Sequence, residues 1–289
     1  MPLSPLDDLD DHDVVEVLPR HLAGPGVHDL ADVWTFPIGQ DWTLARSSDG
    51  PAVAVSPGMR LLAGHIPSDT HPRSGEWLVA AHKDLFRPAT WTATLDRSTP
   101  VELVRDLYTA VFAQCEADGR GERDLLRADD VRPQDVYLPM LTAGWHYTVK
   151  TDGVQYFRSP DGYGVLQHAY AQKNGAEPRW SAWGGPPDHP LWKATFSSAV
   201  PASLVAAFTS SLASPVPLAR AVWNIPADTR LHLTLPAILT DSVAHPGAQA
   251  RSRATSLPSL PSSHTSAAGV PGNAPTQSAR PAPAVGQRR

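Results

Sequence analysis

Hydrophobic and polar residues alternate in short runs through most of this chain. Trp145, Tyr147 and Val149 alternate with His146, Thr148 and Lys150, the period of a half-buried strand. Asp152-Gly153 then supplies a favoured hairpin pair. A second strand is predicted over 154–157, closed by the turn residues Ser159-Pro160-Asp161-Gly162. A third covers about 164–170, and short strands follow around Trp180 and over 192–196. In the last, Trp192, Ala194 and Phe196 alternate with Lys193, Thr195 and Ser197, and Trp91, Ala93 and Leu95 present the same pattern earlier. The period then changes. Leu103, Val104, Leu107, Tyr108 and Val111 fall on one helical face, behind Thr99 as N-cap, Pro100 at the first position and Glu102 to complete a capping box. Leu204, Val205, Phe208 and Leu212 form a matching stripe behind Pro201, with Val200 at the cap position. Leu231, Leu233 and Leu235, alternating with His232 and Thr234, predict one more edge strand.

The similarity of these runs is an internal repeat. Trp42, Ser56-Pro57 and Trp77 recur 103 residues later as Trp145, Ser159-Pro160 and Trp180. Trp91, Thr94, Pro100, Leu103 and Val104 recur 101 residues later as Trp192, Thr195, Pro201, Leu204 and Val205. One two-residue deletion reconciles the offsets. A short opening pair, Leu18-Pro19, also matches Leu138-Pro139. The expected fold is α+β: two tandem repeats, each an antiparallel meander of four to five strands followed by one helix. The two units are expected to pack their sheets or helices against each other as a pseudo-dimer within one chain, with the cleft between them as the default contact surface.

Composition sets the boundaries. Residues 1–13 hold five Asp and no Lys or Arg, which reads as a disordered acidic arm. Repeat copy one is expected over 14–130 and copy two, with its terminal strand, over 131–240. Residues 241–289 are mainly Ala, Ser, Pro and Gly, lack Trp, Tyr, Phe and Ile, and read as a disordered tail. Of the net charge of −5, the arm carries −5, residues 14–240 carry −4 and the tail +4. A duplex-binding protein usually has a domain-wide basic excess, which this acidic middle lacks. No apolar run reaches the ~20 residues of a membrane span, and the first residues do not resemble a signal peptide. A cytoplasmic protein without a membrane partner is expected.

The segment Leu18-Pro19-Arg20-His21-Leu22-Ala23-Gly24-Pro25-Gly26 resembles the "SPRYLAGPG" opening of the actinobacterial domain of unknown function 317 (DUF317) family. Gly144-Trp145, Ser159-Pro160-Asp161-Gly162, Trp192-Lys193-Ala194-Thr195-Phe196-Ser197 and the helix from Pro201 to Phe208 resemble the same family's body. The resemblance spans roughly 14–214. Copy one departs from it, with Asp41 before Trp42 and no Asp after Pro57. The resemblance implies no activity and no catalytic residues.

Candidate chemistry is sparse. The chain has no Gly-rich phosphate loop, no His-Glu-x-x-His and no Gly-x-Ser-x-Gly. The single cysteine, Cys115, excludes an internal disulfide and reads as a packed residue rather than a nucleophile. His21 and His28 with Asp29 and Asp32 would have to build a metal site on a loop, so no metal or cofactor is expected. The Asp-rich start lacks the Gly and Glu of an EF-hand loop. His65, His71 and His82 read as solvent-facing strand or loop positions. The paired tryptophans read as core, whereas Trp34, Trp183 and Trp223 are free to face a partner.

No catalytic residue is expected, and the first expectation is a non-enzymatic binding module with a protein partner. The alternative is a single-stranded nucleic-acid-binding regulator. Tandem units of four strands and a helix resemble, at the level of fold, the Whirly and Pur-alpha single-strand binders. Lys150, Arg158, Arg179 and Lys193 lie on copy two's strands, and with Trp183 they form the candidate binding surface. Copy one, with 11 basic and 17 acidic residues, argues against it, while copy two is near neutral. An enzyme using carboxylate or histidine chemistry is a third reading that no spacing supports.

Overall fold

The computed structural model describes residues 4–26, 42–46, 52–67, 75–83, 86–119, 124, 131–171, 179–236 and 238–239. Its strands are β1 (Val14–Val17), β2 (Thr43–Arg46), β3 (Ala52–Val55), β4 (Leu61–Pro67), β5 (Gly75–Ala81), β6 (Trp91–Asp96), β7 (His146–Val149), β8 (Val154–Arg158), β9 (Gly164–Ala169), β10 (Trp180–Gly184), β11 (Trp192–Phe196), β12 (Leu218–Ala221) and β13 (Ile238–Leu239). Among the described residues the helices are α1 (Val101–Gly119), α2 (Pro133–Thr142) and α3 (Ala202–Leu212). The fold is α+β, and the alternating runs of the two repeats become strands.

The two repeats do not form separate layers. They join edge to edge in one ten-stranded sheet of order β2-β3-β4-β5-β6-β11-β10-β9-β8-β7, antiparallel throughout. The seam is β6 against β11, where Leu95 faces Ala194, Thr94 faces Thr195 and Ala93 faces Phe196. At the offset of 101, Thr94 and Thr195 are the same repeat position, and the flanking pairs exchange roles across it. This is the isologous rule of a two-fold dimer, built within one chain. The Thr94 and Thr195 hydroxyls lie 2.7 Å apart on the pseudo-dyad. On either side, Thr92 N–H donates to Ser197 Oγ (2.9 Å) and Lys193 N–H donates to Asp96 Oδ2 (2.8 Å).

Alternation sends one set of strand residues to the helices. Trp77, Val79, Trp91, Leu95, Leu166, Trp180, Trp192 and Phe196 pack against Leu103, Leu107, Tyr108, Val136, Met140, Leu204 and Phe208 in one shared core. Among the described residues, all three helices contribute to this face. The closing helices α1 and α3 also touch each other, through Ser211 Oγ to Asp106 and Gln114 to Ser203. The expected capping box is absent. Thr99 Oγ1 is buried without a partner, and Glu102 turns instead to Arg220, which is 3% exposed and donates to it at 2.8 Å. The α3 helix begins, as its missing cap suggests, without a side-chain cap.

Three expectations are corrected. The acidic arm is ordered from Ser4: Leu6 is 1% exposed in a second core with Val15, Val17, Leu22, Leu218 and Ile225. Its backbone is tied down as well, since the carbonyls of Asp11 and Asp13 accept from Trp223 and Val222 N–H. Residues 231–235 do not form a strand, because the 3₁₀ turn Ala227–His232 consumes their start and only Thr234 bridges, to Leu18. The edge strand is β13, which with β12 flanks β1 in a three-stranded sheet. Finally, Leu18-Pro19 ends β1 whereas Leu138-Pro139 lies inside α2, so that match is not a structural repeat. The tail over 241–289 lies outside the described residues, as do Trp34, His28, Asp29, Asp32 and His71.

Candidate functional site

Among the described residues, the sheet has a face that no helix covers, and strand register assigns its residues. Reading across strands, Lys193 pairs with Trp183, Trp183 with Val165, Val165 with Arg158 and Arg158 with His146. The next row on the same face runs Thr195, Ser181, Gln167, Tyr156, Thr148. Lys150 follows Thr148 by two residues, and its Nζ stands 4.6 Å from the centre of the Tyr156 ring, a cation–π contact. Lys193, Arg158, His146 and Lys150 are exposed, and Trp183, Tyr156 and Gln167 are half-buried. Four of the five residues expected to form the binding surface, Trp183, Lys150, Arg158 and Lys193, therefore share this face.

Arg179 does not join them. It lies just before β10, and its Nε donates to His168 Nε2 at 3.3 Å, on the helix-facing side. Tyr156 was passed over, although Val154, Tyr156 and Arg158 share a face by strand period alone.

The half of this face built by copy one differs. Across the repeat, Tyr156 becomes Val53, Arg158 becomes Val55, Gln167 becomes Gly64, Ser181 becomes Leu78, Trp183 becomes Ala80 and Lys193 becomes Thr92. Glu76 and Asp96 stand at the border in the row of Lys193. The uncovered face thus changes from cationic and aromatic to aliphatic with an acidic margin.

The buried and half-buried groups best placed for chemistry are committed internally. His21 Nε2 lies 2.9 Å from Asp161 Oδ2, and Ser159 Oγ donates to the same carboxylate. Burial alone would raise the Asp161 pKa, but the hydrogen bonds from His21, Ser159 and the Tyr163 N–H outweigh it and hold the group at about 2. Serine and histidine both serve one carboxylate, with no serine–histidine contact, so this trio lacks the relay of a nucleophilic triad. It locks the Ser-Pro-Asp-Gly turn to the Arg20–Leu22 segment. Burial, then Asp118, raises the Cys115 thiol above its ordinary value, which disfavours the thiolate that nucleophilic chemistry uses. Among the described residues no three His, Cys, Asp or Glu side chains converge as metal ligands.

His65 is corrected outright. It is 0% exposed, in T-shaped contact with Trp77 at 4.9 Å, and both its ring nitrogens lack partners. Its repeat equivalent 103 residues on is His168, 1% exposed and stacked on Trp180 at 3.7 Å. Burial, reinforced by Arg97 for His65 and Arg179 for His168, lowers both to about 4. His168 also meets the Tyr137 hydroxyl at 2.5 Å. The spacing of 103 was available to find this pair. His82, half-buried, lies 3.1 Å from the Arg87 carbonyl.

The SPDY family model, a domain of unknown function (DUF317), matches the chain twice, over residues 55–115 and 158–218. No curated protein matches the chain, and no solved structure does.

Proposed function

We propose that this chain, which carries two tandem copies of the DUF317 domain, is a non-enzymatic binding module whose contact surface is the uncovered sheet face of its second copy. The observation that carries the reading is the convergence of Lys150, Arg158, Trp183 and Lys193 on that face, at positions where copy one has small or aliphatic residues. Functional residues concentrate on exposed, positioned surfaces rather than in a satisfied core. Here the core-facing histidines, the Asp161 carboxylate and Cys115 are consumed by packing and internal hydrogen bonds. A partner suited to this face presents negative charge together with flat or apolar groups.

A photocrosslinking residue at Lys193 in the whole chain, compared with one at Thr92, tests the reading. Adducts formed in cell extract from position 193 and missing from position 92 are expected. Equal labelling at the two positions overturns the choice of face. Turnover in a broad hydrolase screen, abolished by a single point substitution, overturns the non-enzymatic assignment.

A further inference from the structure

We infer that the ligand of this face is single-stranded nucleic acid; the inference rests on the reading that the copy-two face is the contact surface. Three features select this class over an acidic protein segment.

First, cations and a π surface share one row across the sheet. Lys193, Trp183 and Arg158 occupy β11, β10 and β8, so the row spans three strand spacings, about 14 Å. Phosphates recruit the cations while a base lies on the Trp183 indole, the combination by which single strands are held without sequence preference. An acidic peptide would use the cations and leave the indole idle.

Second, the neighbouring row presents Thr148, Gln167 and Thr195, which offer amide and hydroxyl donors and acceptors. Base edges freed from pairing have the complementary groups. A duplex keeps its base edges in grooves, and its major groove, which carries the full sequence code, admits a helix or a two-stranded ribbon.

Third, the patch has an electrostatic border. Glu76 and Asp96 face the same side on β5 and β6, at the seam edge of copy one beside Lys193, and repel phosphate there. The strand is thereby confined to copy two. The global charge of −5 does not bear on this local field at a Debye length of about 8 Å.

The test is fluorescence anisotropy of an oligothymidine of about 12 nucleotides, within the site sizes of such binders, titrated with the full 289-residue chain at several salt concentrations. With three phosphate contacts, the plot of log Kobs against log salt has a slope of about −2. Arg158→Gln and Lys150→Gln each reduce that slope by about 0.7. Trp183→Ala weakens binding by about tenfold or more, with the slope unchanged, and Trp183→Phe restores most of it. Unchanged thermal melts of these variants exclude unfolding as the cause. Binding that is indifferent to all the substitutions, as binding by the arginine-bearing tail would be, overturns the inference, as does equal affinity for duplex. No binding at micromolar protein also overturns it. In that case, crosslinks from position 193 to a protein, lost in Trp183→Ala, leave the proposed contact face standing while the ligand class falls; loss of those crosslinks too removes both.

Discussion

Copy one and copy two share a scaffold and differ in what they show to solvent. In both, the serine of the Ser-Pro turn is buried and its Oγ accepts from the N–H five residues on: Leu61 to Ser56 at 3.0 Å, Gly164 to Ser159 at 2.7 Å. Both bury a histidine against a tryptophan on the adjacent strand, and both send a tryptophan from the seam strand into one core. On the uncovered face the likeness ends, with Val53, Val55 and Ala80 facing Tyr156, Arg158 and Trp183 across the repeat. The difference shows which positions the duplication constrained. Residues that close a turn or fill the shared core are fixed by packing, since either half distorts the other if they change. A residue on the open face meets no such demand and can be given to a ligand. One copy then builds the platform's other half while its partner carries the cationic and aromatic groups.

The histidines offer the largest test of how far the likeness extends. Their pKa of about 4 lies below the ordinary 6.5, so the folded state resists their protonation. The sign follows: their stabilising contribution is complete above pH 6.5 and is lost as pH falls from 6.5 toward 4, up to about 3 kcal/mol for each. Asp161, depressed from 3.8 to about 2, contributes in the same sense but in a more acidic window, with stability present above 3.8 and lost as pH falls toward 2. Chemical denaturation between pH 7 and 4 should therefore show a loss dominated by His65 and His168. At pH 7 the two should respond oppositely to leucine. His65→Leu removes two unsatisfied buried nitrogens and should stabilise by about 1 kcal/mol, because an orphaned buried polar atom costs that much or more. His168→Leu strands Tyr137 and Arg179 and should cost about 2 kcal/mol. Changes of the same sign would show that the two sites are equivalent after all.

Asp161 marks the next difference, since copy one has Gly58 in the corresponding turn and no carboxylate for His21 to meet. Asp161→Asn keeps the shape and removes the charge. It should cost about 1.5–3 kcal/mol at pH 7, the range for hydrogen bonds to charged groups. The loss should fade as acid protonates the native carboxylate. A urea titration in which Asp161→Asn leaves the midpoint unchanged would contradict the lock between the Ser-Pro-Asp-Gly turn and the Arg20–Leu22 segment.

Much of this was legible in the sequence, and the exceptions have physical causes. Strand alternation and helical spacing placed the elements because each side chain's burial follows its local period. Leu6 was lost because five Asp dominate the composition of its segment, yet one leucine at the right place joins a core contributed by β1 and β12. The 231–235 run alternates as a strand does, but the chain there turns as a 3₁₀ helix behind Pro226, and tertiary contacts chose over period. Period also assigned Arg158 and Lys193 to one face. It failed for Arg179, which stands outside a strand and is held by His168. The joining of the copies was beyond local pattern, because nothing in either repeat alone says that β6 meets β11.

That seam carries the smallest and most specific prediction. Thr94 and Thr195 occupy the same repeat position, so a hydroxyl-to-hydroxyl contact between them exists only if the pseudo-dyad passes through this pair. Thr94→Val keeps the β-branched shape and deletes one hydroxyl, as does Thr195→Val in the other copy. Each should cost about 1 kcal/mol, the net value of a typical hydrogen bond. Their energies should not add, because the first substitution already removes the contact and the second frees a hydroxyl left without its partner. A double-mutant cycle should therefore return a coupling of about 0.5–1 kcal/mol, against the near-zero value of independent sites. Other equivalent pairs provide the contrast: Trp91 and Trp192 lie one on each side of the axis, each in its own copy's strand, and the dyad does not bring them face to face. Coupling at the threonines therefore locates the axis of the duplication, while additivity there would separate the seam from it.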